Sequence, residues 1–187
     1  MLFALASTLF LSASAMAPVP PEVVIKPDEQ AVLDQGKVVV RVPGGHRPTM
    51  AIVDVKATPD AAMAAVLDLR VRVNEIGGLK SVEVYEESEG ALGAKWTMGV
   101  AVFSAVFHIR YEYDKSAGWC TYDLDPRYPN ELNKSRGSYH VYAVPTGSRI
   151  VYRSSSAIDG APDWIKKRLA QSSAREMLTG MKTRAER

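Results

Sequence analysis

The chain has 187 residues, of which 47% are hydrophobic and 24% are charged, and its formal net charge is +2. This composition is typical of one globular domain with a hydrophobic core of its own. The small net charge, with no recognisable nucleic-acid-binding motif, argues against a nucleic-acid-binding protein. The single cysteine, Cys120, excludes an intramolecular disulfide, so hydrophobic packing must stabilise the fold.

The first fifteen residues have the pattern of a secretory signal peptide. They are uncharged, apolar from Leu2 to Leu11, and end in the small residues Ala13-Ser14-Ala15, after which we expect cleavage. An apolar run of about ten residues is too short to span a hydrocarbon core of roughly 30 Å. We therefore predict export across an inner membrane, and the lack of disulfides favours a bacterial periplasm.

The next segments predict an arm, two strands and two short helices. Residues 16–36 are rich in proline and acidic residues and indicate a linker or N-terminal arm. Residues 37–42 and 50–57 have strand patterns. Thr58 can cap a compact alanine-rich helix that begins at Pro59. Residues 69–76 indicate either a second short helix or an irregular segment.

The C-terminal part is dominated by strands and one long helix. Six strand-like segments lie between Leu79 and Ala157, and a helix of about seven turns begins at Pro162. We therefore predict an α+β fold, in which a curved antiparallel sheet of about six or seven strands wraps around the long C-terminal helix. Two short helices follow the first main strand, and residues 37–187 form one domain.

Strand alternation predicts which side chains face the helix, because successive side chains point to opposite faces. In the central strands one face is charged and must be solvated, so the apolar face points inward. The predicted lining of the space between the sheet and the helix comprises Trp96, Met98, Val100, Phe107, Ile109, Tyr111, Tyr122 and Tyr139 on strands, and Leu169, Ser173 and Met177 on the helix.

This inner face is unusually rich in tyrosine and tryptophan. A sealed core prefers aliphatic residues and phenylalanine, because each buried hydroxyl needs a partner, whereas a cavity wall can use an apolar ring with a polar handle. The rings therefore either line a cavity or fill the interior. The outer face of the last helix is basic, which indicates either a solvated face or transient contact with an anionic membrane surface; its basic residues are Lys166, Lys167, Arg168, Arg175, Lys182, Arg184 and Arg187.

Four short motifs occur in order along the chain: Ala57-Thr58-Pro59-Asp60, Gly137-Ser138-Tyr139, Gly147-Ser148-Arg149 and Pro162-Asp163-Trp164. Together they resemble the START-like, helix-grip superfamily, and within it the polyketide cyclase/dehydrase and coenzyme Q-binding branch. The resemblance covers about residues 37–187 and implies a cavity between sheet and last helix for a sterol, quinone, lipid or polyketide. It implies no shared catalytic residue. Tyr139 replaces a tryptophan common in relatives, and a hairpin at residues 37–49 is added.

Catalytic and metal-binding motifs are not evident. The histidines His46, His108 and His140 are scattered, and no nucleophile elbow or phosphate-binding glycine loop occurs, so we expect no metal, no cofactor and no catalytic residue. The polar segment Pro126–Arg136 is either a lid over the pocket or a plain surface loop.

The leading prediction is a monomeric, non-enzymatic carrier of an apolar small molecule. One alternative is a cyclase or dehydratase that uses Tyr111, Tyr139 or Glu75 as an acid or base in the same cavity. Glu75 and its neighbour Asn74 would border that cavity or face solvent. The other alternative is a protein-interaction module with a filled core.

Overall fold

The computed structural model describes residues 23–43, 47–100, 103–157 and 163–187, without the side chains of residues 100, 103 and 163–169. The predicted signal peptide, His46 and the expected helix start at Pro162 lie outside the described residues. So do the side chains of Val100 and Leu169, which were predicted to line the cavity.

The architecture is α+β, as predicted, with one antiparallel sheet and a long C-terminal helix. The α-helices are α1 (Pro27–Asp34), α2 (Pro59–Leu67) and α3 (Asp163–Ala185), and a 3₁₀-helix spans Arg70–Asn74. The strands are β1 (Val39–Arg41), β2 (Thr49–Val55), β3 (Leu79–Ser88), β4 (Ala91–Val100), β5 (Phe103–Asp114), β6 (Trp119–Leu124), β7 (Lys134–Val144) and β8 (Gly147–Ala157).

The sheet has eight strands in the order β1-β2-β8-β7-β6-β5-β4-β3, rather than the six or seven predicted. The difference arises because the three-residue strand β1 pairs with β2 and extends that edge of the sheet. Neighbouring strands are antiparallel throughout, and the sheet is curved around the inner helices, so the helix-grip prediction is confirmed.

The turn between β7 and β8 explains the Gly147-Ser148-Arg149 motif. Gly147 has φ +140°, and a Cβ there would overlap the carbonyl oxygen of Val55. Arg149 lies opposite Asp54 in the β2–β8 ladder and donates to both of its carboxylate oxygens, at 2.6 and 2.8 Å. The motif therefore lets β8 pass close to β2 and pairs the two strands by charge.

Helix α2 and the C-terminal half of α3 cover the inner face of the sheet. The hydroxyl of Thr58 accepts a hydrogen bond from the Ala61 amide at 3.3 Å, and Pro59 begins α2, as the sequence predicted. The segment after α2 is the 3₁₀-helix. The core between these layers includes Val53, Val55, Met63, Val66, Ile109, Val141, Ile150, Leu178 and Met181, each 5% exposed or less.

The outer face of β1, β2 and β8 is covered by α1, which lies within the segment interpreted as a linker or arm. Leu33 of α1 packs with Val39, Ile52 and Val151 in a second hydrophobic cluster. The prolines and acidic residues of this segment fit a helix start, because Pro27 occupies the first turn and Asp28 and Glu29 favour a helix N-terminus. No helix among the described residues is long and apolar enough to cross a membrane.

Candidate functional site

Strand pairing brings the predicted inner-face tyrosines together. Tyr111 lies opposite Tyr122 across β5 and β6, and Tyr139 lies opposite Tyr152 across β7 and β8. The ring centroids of Tyr122 and Tyr139 are 6.1 Å apart, and those of Tyr139 and Tyr152 are 4.8 Å apart. The result is a continuous aromatic surface across four neighbouring strands.

The hydroxyls of this surface form a short hydrogen-bonded chain. Tyr122 donates to Ser154 at 2.9 Å, and its oxygen also lies 2.9 Å from the hydroxyl of Tyr152. Gly137 makes this possible, because a Cβ there would lie 2.6 Å from the Tyr122 hydroxyl oxygen. Tyr139 donates separately to the Met177 sulfur on α3, at 3.2 Å.

Burial keeps these phenols protonated. Burial raises the pKa of Tyr111, Tyr122 and Tyr139 well above the usual value, because the phenolate would lose its hydration. The thiol of Cys120, on the same face, has its pKa raised to about 12 by burial. At neutral pH the inner face therefore offers neutral donors and acceptors, and its thiol is a poor nucleophile.

Trp96 provides a buried polar group that has no hydrogen-bond partner of normal geometry among the described residues. Its ring stacks beside Phe107 with centroids 6.4 Å apart and an interplanar angle of 11°. The indole N–H lies near the Tyr111 hydroxyl. This contact slightly lowers the pKa of Tyr111, against the larger rise that burial causes. The indole N–H nevertheless makes no hydrogen bond of normal geometry, and Nε1 is buried. Because buried donors are usually paired, this N–H is a candidate donor to a guest on the inner face.

The structure places most of the predicted lining residues on the inner face. The buried ones are Trp96, Phe107, Ile109, Tyr111, Tyr122, Tyr139 and Met177, each 9% exposed or less. Met98 and Ser173 are half-buried. The sequence analysis did not select Tyr152 and Ser154, although strand alternation puts both on the same face as the buried Ile150. It also did not select Leu178, which lies one helical turn after Ala174.

A buried cluster of charges, the α3 clamp, fastens α3 to the helices before β3. It consists of Arg72 and Glu75, from the 3₁₀-helix and its end, with Arg184 of α3. Arg72 is 1% exposed and donates to Glu75 at 2.8 Å and to the carbonyl oxygens of Ala65 and Val66, at 2.9 and 2.7 Å. Arg184 contacts the other oxygen of the same carboxylate, so two guanidinium groups share one glutamate.

Two further features bring α3 close to the segment around Glu75. The carboxylate of Glu176 accepts the Gly77 amide at 2.8 Å. At Gly180, a Cβ would overlap the side chain of Glu75, so the close approach requires glycine. Of the two alternatives for Glu75 and Asn74, solvent exposure is wrong for Glu75, which is 10% exposed and ion-paired, and right for Asn74. The sequence analysis did not select Arg72. The one local signal for its ion pair is the spacing of three residues between Arg72 and Glu75, which brings two side chains together on a helix.

Part of the predicted basic face of α3 is turned toward the protein. Lys182 donates to the carbonyl oxygen of Asp54 at 3.0 Å and pairs with Glu186, and Arg184 belongs to the clamp. Arg175 is exposed as expected, and the side chains of residues 166–168 lie outside the described ones. Lys182 and Arg184 therefore contact the protein rather than forming part of a solvated basic face.

The loop after β6 lies along the first half of β5, beyond the end of β6. Asn130 accepts the His108 amide at 2.6 Å, and the backbone amide and carboxylate of Glu131 bond to Val106 at 3.0 and 2.6 Å. Leu132 is 6% exposed and belongs to the core. These contacts favour a fixed surface loop over a lid.

The loop is also anchored by charge on the outer face. Asp125, which is 0% exposed, accepts hydrogen bonds from Arg127 and from the Tyr85 hydroxyl at 2.8 Å. Arg127 lowers the pKa of Asp125 far below its usual value. The neighbouring His108 is covered by Tyr128, with ring centroids 4.7 Å apart. Among the described residues, no group of histidine, cysteine and acidic side chains is arranged to hold a metal ion.

No family model matches this sequence, and no curated protein matches it significantly. Solved structures do match its fold. A STAR-related lipid transfer protein from Xanthomonas axonopodis superposes with a TM-score of 0.68 at 14% identity, over 80% of this chain and 93% of that one. The chain has a START-like fold.

Two other solved structures with this START-like fold have different descriptions. A START superfamily protein from Mycobacterium smegmatis gives a TM-score of 0.56 at 13% identity, over 75% of this chain and 97% of that one. The Zhui aromatase/cyclase from Streptomyces sp. R1128 gives a TM-score of 0.53 at 19% identity, over 74% of this chain and 86% of that one. Because the neighbours include a lipid transfer protein and an enzyme, the fold alone does not distinguish carriage from catalysis.

Proposed function

We propose that this protein binds an apolar small molecule of the lipid, sterol or quinone class between the inner face of the sheet and α3, and carries it without chemical change. The continuous inner-face surface of Tyr111, Tyr122 and Tyr139 is the main support for this proposal, and the indole N–H of Trp96 would donate to a carbonyl or hydroxyl of the guest. The adjoining aromatic surface supplies apolar contact, and its hydroxyls orient the guest.

The acid–base properties of the inner face favour carriage over catalysis. An efficient general acid or base has a pKa near the working pH. Burial moves the pKa values of Tyr111 and Tyr139 further above that range, and Glu75 is held between two arginines. The two tyrosines are therefore not poised to exchange a proton at neutral pH, and the carboxylate of Glu75 is occupied by its ion pairs.

The expected affinity follows from the area that the guest would bury. Burying about 300 Å² of apolar surface contributes roughly 7 kcal/mol or more at about 25 cal/mol per Å². Loss of translational and rotational freedom offsets several kcal/mol of the gross interaction. A dissociation constant in about the micromolar range corresponds to roughly 8 kcal/mol net, so the guest must bury more apolar surface than this and also make hydrogen bonds.

The second candidate is an enzyme of the cyclase or dehydratase type, favoured by the likeness to the aromatase/cyclase. It predicts pH-dependent turnover of a polyketide-like substrate that is abolished by Tyr111→Phe. A carrier predicts that the guest is released unchanged, and mass spectrometry of the released molecule separates the two.

The binding proposal is tested by native mass spectrometry of the purified protein, followed by titration with a sterol, a quinone and a fatty acid. We expect a co-purified guest or micromolar binding to at least one class. Protein that is consistently empty and binds none of them would contradict the proposal and favour an interaction module with a filled core.

A pair of tryptophan variants tests the proposed anchor. Trp96→Phe retains an aromatic ring but removes the donor, and should weaken binding of a carbonyl- or hydroxyl-bearing guest by roughly threefold to tenfold. Trp119→Phe is the matched control, because its indole Nε1 is also buried and unpaired but lies on another part of the sheet. Equal effects of the two substitutions would exclude Trp96 as the anchor.

We also propose that the mature protein is located in the periplasm, on the basis of the signal-peptide pattern of residues 1–15. Cell fractionation with N-terminal sequencing of the mature chain tests this location. Recovery of the uncleaved chain in the cytoplasm would contradict it.

A further inference from the structure

A second candidate site lies on the outer face of the sheet, at an end where Tyr122, Gly137 and Ser154 of the inner surface also border it. A groove of about 320 Å³ opens between the ends of β2, β6, β7 and β8. Its lining includes the basic side chains Lys134, Arg136 and Arg153 and the hydroxyls of Ser138 and Ser155. We call these five residues the basic groove.

The β7–β8 ladder places these groups in a regular pattern. Arg136 lies directly opposite Ser155, and Ser138 lies directly opposite Arg153. The two arginines are therefore diagonal neighbours on one face, with their backbones about 7–8 Å apart. Lys134 lies two residues before Arg136 on β7, so alternation puts it on the same face.

The positive charges of the basic groove are not neutralised within the described part of the chain. Lys134, Arg136 and Arg153 make no ion pair or side-chain hydrogen bond there. The Nε atom of Arg153 is buried without a partner. Burial, together with the charge of nearby Arg41, lowers the pKa of Arg153. Like charges held this close are unfavourable unless an anion joins them.

We propose that the basic groove binds a phosphate group, with Arg136 and Arg153 donating to its oxygens from two sides and the serine hydroxyls completing the shell. Guanidinium groups match the tetrahedral oxygens of phosphate with paired hydrogen bonds, and this geometry discriminates against a halide ion. The phosphate belongs either to the headgroup of an anionic lipid or to a free phosphorylated molecule.

Asp123 also lines the groove and limits its affinity for anions. One oxygen of Asp123 accepts the Leu124 amide at 2.8 Å, and the carboxylate faces the same space as the three basic side chains. A neighbouring groove of about 310 Å³ shares Asp123 but contains only one basic side chain, Arg110, beside Glu112. The neighbouring groove therefore provides an internal control for the charge argument.

The first experiment is calorimetric titration of the full chain with inorganic phosphate at low ionic strength. We expect millimolar binding that weakens by roughly tenfold or more in Arg136→Gln and in Arg153→Gln. Asp123→Asn should strengthen binding several-fold, an increase that a loss of folding cannot produce. Arg110→Gln, in the neighbouring groove, should leave binding unchanged.

The second experiment identifies the source of the phosphate by sedimentation with vesicles. Binding to phosphatidylglycerol vesicles but not to phosphatidylcholine vesicles, reduced in Arg153→Gln, supports a lipid headgroup. Binding of inorganic phosphate without vesicle binding supports a free phosphorylated molecule.

The proposal is overturned by either of two results. One is an absence of both phosphate binding and phosphatidylglycerol binding by the unsubstituted protein. The other is binding that Arg136→Gln, Arg153→Gln and Asp123→Asn leave unchanged. Circular dichroism of each variant verifies that the fold is retained. Neither result bears on the inner apolar site, because the tests use no apolar guest and leave the inner face intact.

Discussion

The two faces of the sheet each have an arginine–carboxylate cluster, but the clusters differ in charge and in access to water. On the inner side, Glu75 lies between Arg72 and Arg184, and Arg72 is 1% exposed. On the outer side, Asp125 is buried but its partner Arg127 is 47% exposed. Water can therefore solvate the outer arginine when its partner is lost, whereas the inner arginines have no such substitute.

This difference separates attachment from ligand binding. The α3 clamp fastens the C-terminal half of α3 through ions and hydrogen bonds, so the aromatic surface does not have to supply all of the attachment. In the proposed carrier, the rings between sheet and helix can then contact a guest without detaching that end of α3. The outer cluster has a local task, which is to hold the loop after β6 against β5.

Glu75→Gln should have the largest effect, because it leaves the buried guanidinium group of Arg72 without an ion-pair partner and leaves Arg184 with only the half-exposed carboxylate of Asp68, at 4.0 Å. Breaking a buried ion pair by removing one partner costs about 3–5 kcal/mol of unfolding free energy. Urea denaturation at pH 7 measures the loss. Glu87→Gln is the matched control: its partner is Arg70, and the two side chains are 59% and 62% exposed. The control should cost less than about 1 kcal/mol, and equal losses would contradict the comparison.

Gly180→Ala tests the clamp through shape. Alanine is the better helix former by about 1 kcal/mol, so propensity alone predicts stabilisation. Because the new Cβ would overlap the Glu75 side chain, we expect instead a net loss of about 2 kcal/mol. Thr179→Ala, at the exposed neighbouring position, should change stability by less than about 1 kcal/mol. A gain in stability for Gly180→Ala would show that Glu75 can move aside.

Asp125→Asn should have a smaller effect than Glu75→Gln. It removes the charge that Arg127 and Tyr85 contact, but the exposed position of Arg127 screens the pair, so we expect a loss of about 1–2 kcal/mol at pH 7. Asp123→Asn is the control, because Asp123 is exposed near the end of β6, two residues before Asp125, and its substitution should cost less.

The stability difference between wild type and Asp125→Asn should depend on pH, with a definite sign. The folded-state pKa of Asp125 lies below its unfolded value of about 3.9, so its contribution is fully present well above pH 4. The contribution decreases as the pH falls through the unfolded pKa toward the folded one. Denaturation from pH 7 to pH 2.5 should show the difference between wild type and Asp125→Asn shrinking; a difference that grows would contradict the assignment.

The strand faces could be predicted from the sequence because their period is fixed by the backbone. Alternation placed Trp96, Phe107 and Tyr111 inward and Arg110 outward, and the structure agrees. The rotation of α3 was harder to predict. Ser173 and Ala174 are both small, so the sequence does not show which of them faces the sheet. The structure buries Ala174 and, one turn later, Leu178, whereas Ser173 is half-buried.

The buried charges could not be predicted, because their partners are distant in sequence. Tyr85 and Asp125 are 40 residues apart, and Arg184 reaches Glu75 from the far end of the chain. The basic groove depends in the same way on the pairing of β7 with β8, which only the tertiary register supplies. Local patterns thus predict the layers, and long-range pairing determines the polar sites.

The smallest expected effect distinguishes two kinds of inner-face hydroxyl. Tyr139→Phe removes one donor to the Met177 sulfur, a weak acceptor, and should cost less than about 1 kcal/mol of unfolding free energy. Tyr122→Phe instead leaves the hydroxyls of Tyr152 and Ser154 with one partner fewer, so it should cost more, about 1–2 kcal/mol. Urea denaturation of both variants measures the difference. If Tyr139→Phe were the more damaging, α3 would depend on the aromatic surface for its attachment, and the separation of attachment from binding would be wrong.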